Sequence, residues 1–169
     1  MNKKTKKNLK GFTLIELLVV VAIIGVLAAV GVTAFSGFQE NAKKSSMKSI
    51  HSNIVKIISS ESKKCSMGET YFFEGVNQNG GVVRQTCGTN AQTNYGRARN
   101  GIYNMAWDNM NPWQSNQRAV YMGSSYVNGR TYVNTYATGG KYYLRVRSCW
   151  SGQNSCPSAS RKETLVQIE

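Results

Sequence analysis

The chain has 169 residues, with 21 Lys and Arg against 8 Asp and Glu and a net charge of +13; that length allows one modest globular domain beside any membrane segment. It has one histidine, and after residue 64 only Glu69, Glu74, Asp108, Glu163 and Glu169 are acidic. With no phosphate-binding glycine loop either, no acid–base pair or metal cluster assembles, so we expect no enzyme, catalytic residue, cofactor or metal site.

Residues 1–11 contain Lys3, Lys4, Lys6, Lys7 and Lys10, no acid, and end in the small residue Gly11. An ordinary secretory signal is cut after its apolar region, whereas here the small residue precedes it. Cleavage after Gly11 leaves the apolar segment on the mature chain and frees an α-amino group on Phe12. Removing the five leader lysines leaves 16 bases against 8 acids, a side-chain charge of +8. The leader lysines also follow the positive-inside pattern, which places them in the cytoplasm and the rest of the chain across the membrane.

From Phe12 to Phe35 the 24 residues include only Thr13, Glu16 and Thr33 as polar side chains. As a helix this run is about 36 Å long, enough to cross a bilayer. A carboxylate at that depth costs several kcal/mol and is read as functional, with a partner to be named. No cation lies within the run, but a Phe12 amine stands one turn from Glu16. In a bundle of such helices, Glu16 of one subunit meets the amine of another, and the buried pair sets register by penalising arrangements that leave either charge alone.

Lys10-Gly11-Phe12-Thr13-Leu14-Ile15-Glu16-Leu17-Leu18, followed by Ala22-Ile23-Ile24-Gly25-Val26-Leu27-Ala28-Ala29, resembles the N-terminus of type IV pilins and pseudopilins, with a class III, prepilin-type signal. The resemblance covers residues 1–60. It implies cutting between Gly11 and Phe12 and N-methylation by a prepilin peptidase, and a role for Glu16 in assembly. It also implies storage as a single-pass protein of the inner membrane before an assembly platform with its ATPase machinery builds a homo-oligomeric helical filament, together with minor pilins. The chain departs from many pilins in lacking a proline about ten residues after Ala22, where it has Val30-Gly31-Val32-Thr33. Gly25 and Gly31, each costing a helix about 1 kcal/mol relative to alanine, then serve either as the weak points of the membrane helix or as close-packing positions in a bundle.

Beyond the bilayer segment, Met47, Ile50, Ile54, Ile57 and Ile58 recur at helical spacing among Lys43, Lys44, Lys48 and Lys56, predicting an amphipathic continuation that ends near Lys63 and Lys64. His51 is expected at a solvated position. Cys65, Cys87, Cys149 and Cys156 are even in number and lack zinc-site spacing. Against reduced or metal-bound thiols, a disulfide framework fits an exported chain. Of three pairings, Cys65 with Cys87 and Cys149 with Cys156 each close a local loop, and the second would resemble the C-terminal disulfide loop of many pilins. Residues 66–117, rich in Gly, Asn, Gln and Ser, read as an ordered loop with one or two short strands.

Val127-Asn128-Gly129-Arg130 and Thr138-Gly139-Gly140-Lys141 are hairpin signals, predicting a three-stranded antiparallel meander over 118–126, 131–137 and 141–148. The turns pair Ala137 with Tyr142, Thr135 with Leu144 and Val133 with Val146 on the face that, with Val120 and Met122, covers the helix stripe. The other face collects Tyr121, Tyr132, Asn134, Tyr136, Lys141, Tyr143, Arg145 and Arg147, without an acid. Two readings of it stand: a salt-sensitive DNA contact made by Tyr132, Tyr136, Lys141, Tyr143, Arg145 and Arg147, or tyrosines that suit strands and cations that solubilise an outer face.

The expected fold is α+β and pilin-like, a long N-terminal helix packed against a C-terminal antiparallel sheet. The expected division is a leader over 1–11, a membrane and filament-core helix over 12–35, its amphipathic continuation over 36–64, and a head over 65–169. The expected function is a structural subunit of a type IV pilus, ending as a surface filament for adhesion, twitching motility or DNA uptake. A type II secretion pseudopilin and a DNA-binding minor pilin are the alternatives. The major pseudopilin resembles a shorter head with a calcium site built from acids, and calcium takes six or more oxygens, whereas only Glu163 and Glu169 follow Cys149.

Overall fold

A computed structural model describes residues 11–77, 79–152 and 155–169; the leader lysines lie outside them. The chain divides into two units, residues 1–39 and 40–169. In the first, the described chain is the start of helix α1, Leu14–Glu61, and Gly11 to Gln39 is solvent-exposed throughout.

The second unit holds the rest of α1. Its buried side chains are Met47, Ile50, His51, Ile54 and Ile58, spaced by three or four residues so that they form one stripe. The remaining elements are strands β1 (Tyr71–Val76) and β2 (Val82–Thr86), helix α2 (Ala91–Met105), and strands β3 (Met110–Asn111), β4 (Gln114–Arg118), β5 (Val120–Met122), β6 (Thr131–Thr138), β7 (Lys141–Cys149) and β8 (Arg161–Ile168). Strands β5, β6, β7 and β8 form one sheet in that order, while β1 pairs with β2 and β3 with β4. One apolar cluster joins the α1 stripe to Val133, Leu144, Val146, Val166 and Ile168 of the sheet and to Ala98 and Ile102 of α2. The α+β architecture with a long helix and an antiparallel-rich sheet is therefore present.

The β6–β7 hairpin has the predicted register, Ala137 opposite Tyr142, Thr135 opposite Leu144 and Val133 opposite Val146. Gly139 and Gly140 adopt φ of 55° and 73° at its turn, as a type I′ turn requires and as only glycine adopts without strain.

The first predicted hairpin is corrected. Strand β5 pairs with β6 in parallel, Val120 opposite Thr131 and Met122 opposite Val133. The Val127–Arg130 turn does form, with the Arg130 amide donating to the Val127 carbonyl at 3.1 Å. It is anchored elsewhere, however: the Gly129 amide donates to the Cys149 carbonyl, and the Gly152 amide donates to Asn128 Oδ1. The turn thus delivers the chain into β6 beside β7 instead of folding it back on β5. Met122, expected on the covered face, is 44% exposed because β5 ends there.

Three further elements differ from the sequence reading. Residues 66–117 contain the 15-residue helix α2, capped by Asn90, whose side chain accepts from the Thr93 amide at 2.9 Å. Its composition is polar and rich in Asn and Gly, so packing of Ala98, Gly101 and Ile102 on Phe72 and Phe73 supports it more than propensity does. Strand β8, absent from the predicted meander, completes the sheet and turns Val166 and Ile168 inward. His51 is buried, not solvated: its Nδ1 lies 2.8 Å from Ser148 Oγ and its Nε2 2.9 Å from Thr164 Oγ1, and Ser148 continues to Thr131 at 2.6 Å. These bonds satisfy both ring nitrogens inside the helix–sheet layer. Desolvation, then the nearby Lys162 charge, lower the imidazole pKa to about 4.

Two disulfides, Cys65–Cys87 and Cys149–Cys156, close loops of 22 and 7 residues. The first ties the end of α1 to β2. At the same end, Glu61 accepts from the Phe73 amide at 2.6 Å and pairs with Lys64 at 2.8 Å.

Candidate assembly site at the start of the long helix

The first turn of α1 leaves backbone N–H groups without intrahelical partners. Thr13 and Glu16 satisfy two of them reciprocally. The Glu16 amide donates to Thr13 Oγ1 at 3.3 Å, while the Thr13 amide donates to Glu16 Oε2 at 2.8 Å; the Thr13 hydroxyl adds a third bond to the same carboxylate oxygen at 2.7 Å. This is a capping box, with Thr13 at the N-cap and Glu16 three residues on. Thr13 is thus a site residue that the sequence reading missed. The Thr-x-x-Glu spacing ahead of an apolar run was the available signal.

Around this carboxylate the helix surface is apolar and uncovered. Phe12 is 81% and Leu14 89% exposed, and Ile15, Leu17, Leu18, Ile23, Ile24, Val26, Leu27 and Val30 are also open. Phe12, Ile15, Glu16, Val19 and Val20 line a shallow groove, so the acid sits on an apolar wall. Added Cβ atoms at Gly25 and Gly31 would meet no neighbour within 4 Å, so this subunit alone gives neither glycine a packing role. By length and composition α1 can cross a membrane.

The second predicted site lies on the outer face of the β5–β8 sheet. Tyr132, Asn134 and Tyr136 stand opposite Arg147, Arg145 and Tyr143, and Lys141 sits at the adjoining turn. The face does contain an acid, which corrects the expectation: β8 places Glu163 opposite Arg147. Glu163 accepts from Arg147 Nε at 2.6 Å and pairs with Arg145 Nε at 3.5 Å, and Tyr126 donates to it at 3.0 Å. Burial raises its pKa, but the Arg147 and Tyr126 hydrogen bonds and the two arginine charges outweigh that and hold it below the usual carboxylate value. Tyr126 moves the other way, raised by burial and by its bond to Glu163. The Arg145 guanidinium lies 3.8 Å from the Tyr136 ring centroid, and Tyr132 is only 9% exposed beside Tyr121. Arginine already occupies the ring face that a base would need for stacking.

Residues 6–32 match the family model described as the prokaryotic N-terminal methylation motif. The chain is 56% identical over 39 residues to the type IV major pilin protein PilA of Myxococcus xanthus (strain DK1622), covering 23% of this chain and 18% of that protein. It is 37% identical over 67 residues to the type IV major pilin protein PilE of Neisseria gonorrhoeae, covering 40% of this chain and 35% of that one. A fimbrial protein of Neisseria meningitidis serogroup A / serotype 4A (strain DSM 15465 / Z2491) is 36% identical over 81 residues, covering 46% and 42%. The matches thus span less than half the length of these relatives. No solved structure matches the chain. The chain carries the prokaryotic N-terminal methylation motif over residues 6–32 and is similar to type IV major pilins over part of its length.

Proposed function

We propose that the chain is stored in the inner membrane by residues 12–35 and polymerised, after removal of residues 1–11 between Gly11 and Phe12, into a type IV pilus on the cell surface. Residues 36–64 continue the helix into the head formed by 65–169. In the filament the helices cover one another's apolar surface, and Glu16 of one subunit meets the N-methylated Phe12 amine of the next. Prepilin peptidase, the inner-membrane platform with its ATPase machinery, and minor pilins are the partners this requires. Adhesion, twitching motility and DNA uptake are outputs of such a filament.

The observation that carries this reading is an apolar helical stretch of membrane length, residues 12–35, with a single carboxylate in its first turn. In a plain membrane anchor the carboxylate serves only as the helix cap it makes with Thr13, and an uncompensated charge in the apolar run is costly. A pilus is preferred to a secretion pseudopilin because Glu163, one of the two acids after Cys149, is engaged by Arg145 and Arg147, and no acidic cluster that could hold a metal occurs among the described residues. Electron microscopy of sheared cells tests the reading. Glu16→Ala abolishes filaments while mature protein persists in the membrane; normal filaments from that variant would remove the proposed role of Glu16.

A further inference from the structure

A small cavity of about 220 Å³ opens on the head, lined by Asn77, Asn79, Tyr103, Asn104, Trp107 and Arg118. Three separate pieces of chain contribute to it: Asn77 and Asn79 between β1 and β2, the end of α2 with Trp107 just after it, and Arg118 of β4. Tyr103 and Trp107 are four residues apart, so the end of α2 and the turn after it present both rings on one side. The Trp107 ring is fixed because its Nε1 donates to the Val76 carbonyl, at 2.5 Å. Arg118 Nη1 donates to the Tyr103 hydroxyl at 3.2 Å, and the guanidinium lies 5.7 Å from the Tyr103 ring centroid, which fixes the second aromatic wall.

The polar rim is different in kind. Asn77 uses its Oδ1 to hold the turn, accepting from the Asn79 and Gly81 amides at 2.9 and 3.0 Å. The side chains of Asn79 and Asn104 have no hydrogen-bond partner among the described residues. Unclaimed planar amides, each with two donors and one acceptor, therefore border a fixed aromatic wall.

From this we infer that the head binds one pyranose unit of a glycan in this cavity. A pyranose offers an axial C–H face that packs on an indole or phenol ring and vicinal hydroxyls that pair with the donor and acceptor of one amide, and the volume suits a single ring. A purely apolar ligand would leave the amides unpaired. The inference does not depend on filament assembly and is tested on unassembled protein.

The test is saturation-transfer difference NMR on the purified full-length chain in a zwitterionic, sugar-free detergent. The probes are methyl glycosides of galactose, glucose, N-acetylglucosamine and N-acetylneuraminic acid, with adenosine as the competing ring compound. Saturation of ring protons of at least one glycoside is expected, with binding weakened at least tenfold by Asn104→Ala and by Trp107→Ala and unchanged by Lys141→Ala. Trp107→Ala also removes the bond to Val76, so the Asn104 variant, whose side chain holds nothing else in place, is the deciding one. No saturation of any glycoside, equal binding by Asn104→Ala, or saturation of adenosine alone would overturn the inference.

Discussion

His51 keeps its place between Ser148 and Thr164 as the neutral imidazole, because desolvation makes its charged form costly. Its folded pKa of about 4 lies below the ordinary 6.5, so the unfolded chain takes up the proton first as pH falls. Above pH 6.5 this group leaves stability unchanged. Between 6.5 and about 4 it lowers stability by an amount on the order of 3 kcal/mol, and below that the loss levels off. Denaturant unfolding at a series of pH values, followed by circular dichroism, should show that decline in wild type and a flatter profile in His51→Gln. The same scale shows why Gly101 is glycine. A Cβ there would overlap the Phe73 side chain, whose ring is fully buried, so Gly101→Ala should destabilise the head by about 1–3 kcal/mol in the same assay.

At the scale of elements, the two disulfides differ in the loop they close. The 22-residue loop of Cys65–Cys87 constrains the unfolded chain more than the 7-residue loop of Cys149–Cys156. Loop entropy predicts losses of about 3 and about 2 kcal/mol on replacing each pair with serine, with the order of the two checked by thermal unfolding. Elements were legible in the sequence where the signal was local. The α1 stripe, the Gly139-Gly140 turn and the β6–β7 register are all set by spacing within one segment. The Asn128-Gly129 turn was legible as a turn, but which strands it serves depends on Cys149 and Gly152, far along the chain. Helix α2 was hidden because its polar sequence is supported by packing on Phe72 and Phe73. Strand β8 did carry an alternating signal in Thr164, Val166 and Ile168, and overlooking it hid Glu163 from the cationic face. The proposed assembly site is contiguous, so Gly11, Phe12 and Glu16 could be read together. The Asn104–Trp107 cavity draws on three elements and has no sequence signature.

Across the whole molecule, the chain combines an apolar helical stretch of membrane length, residues 12–35, with a head that carries its own core and two covalent staples. The first property calls for other helices or a bilayer. The second suits exposure outside the cell, where disulfides persist. In the proposed account, cleavage after Gly11 leaves the first of these on the mature chain. The most direct measurement is therefore mass spectrometry of the subunit in sheared surface filaments. The account predicts a chain that begins at N-methylated Phe12; filaments that lack this protein, or that contain it with residues 1–11 still attached, would contradict it.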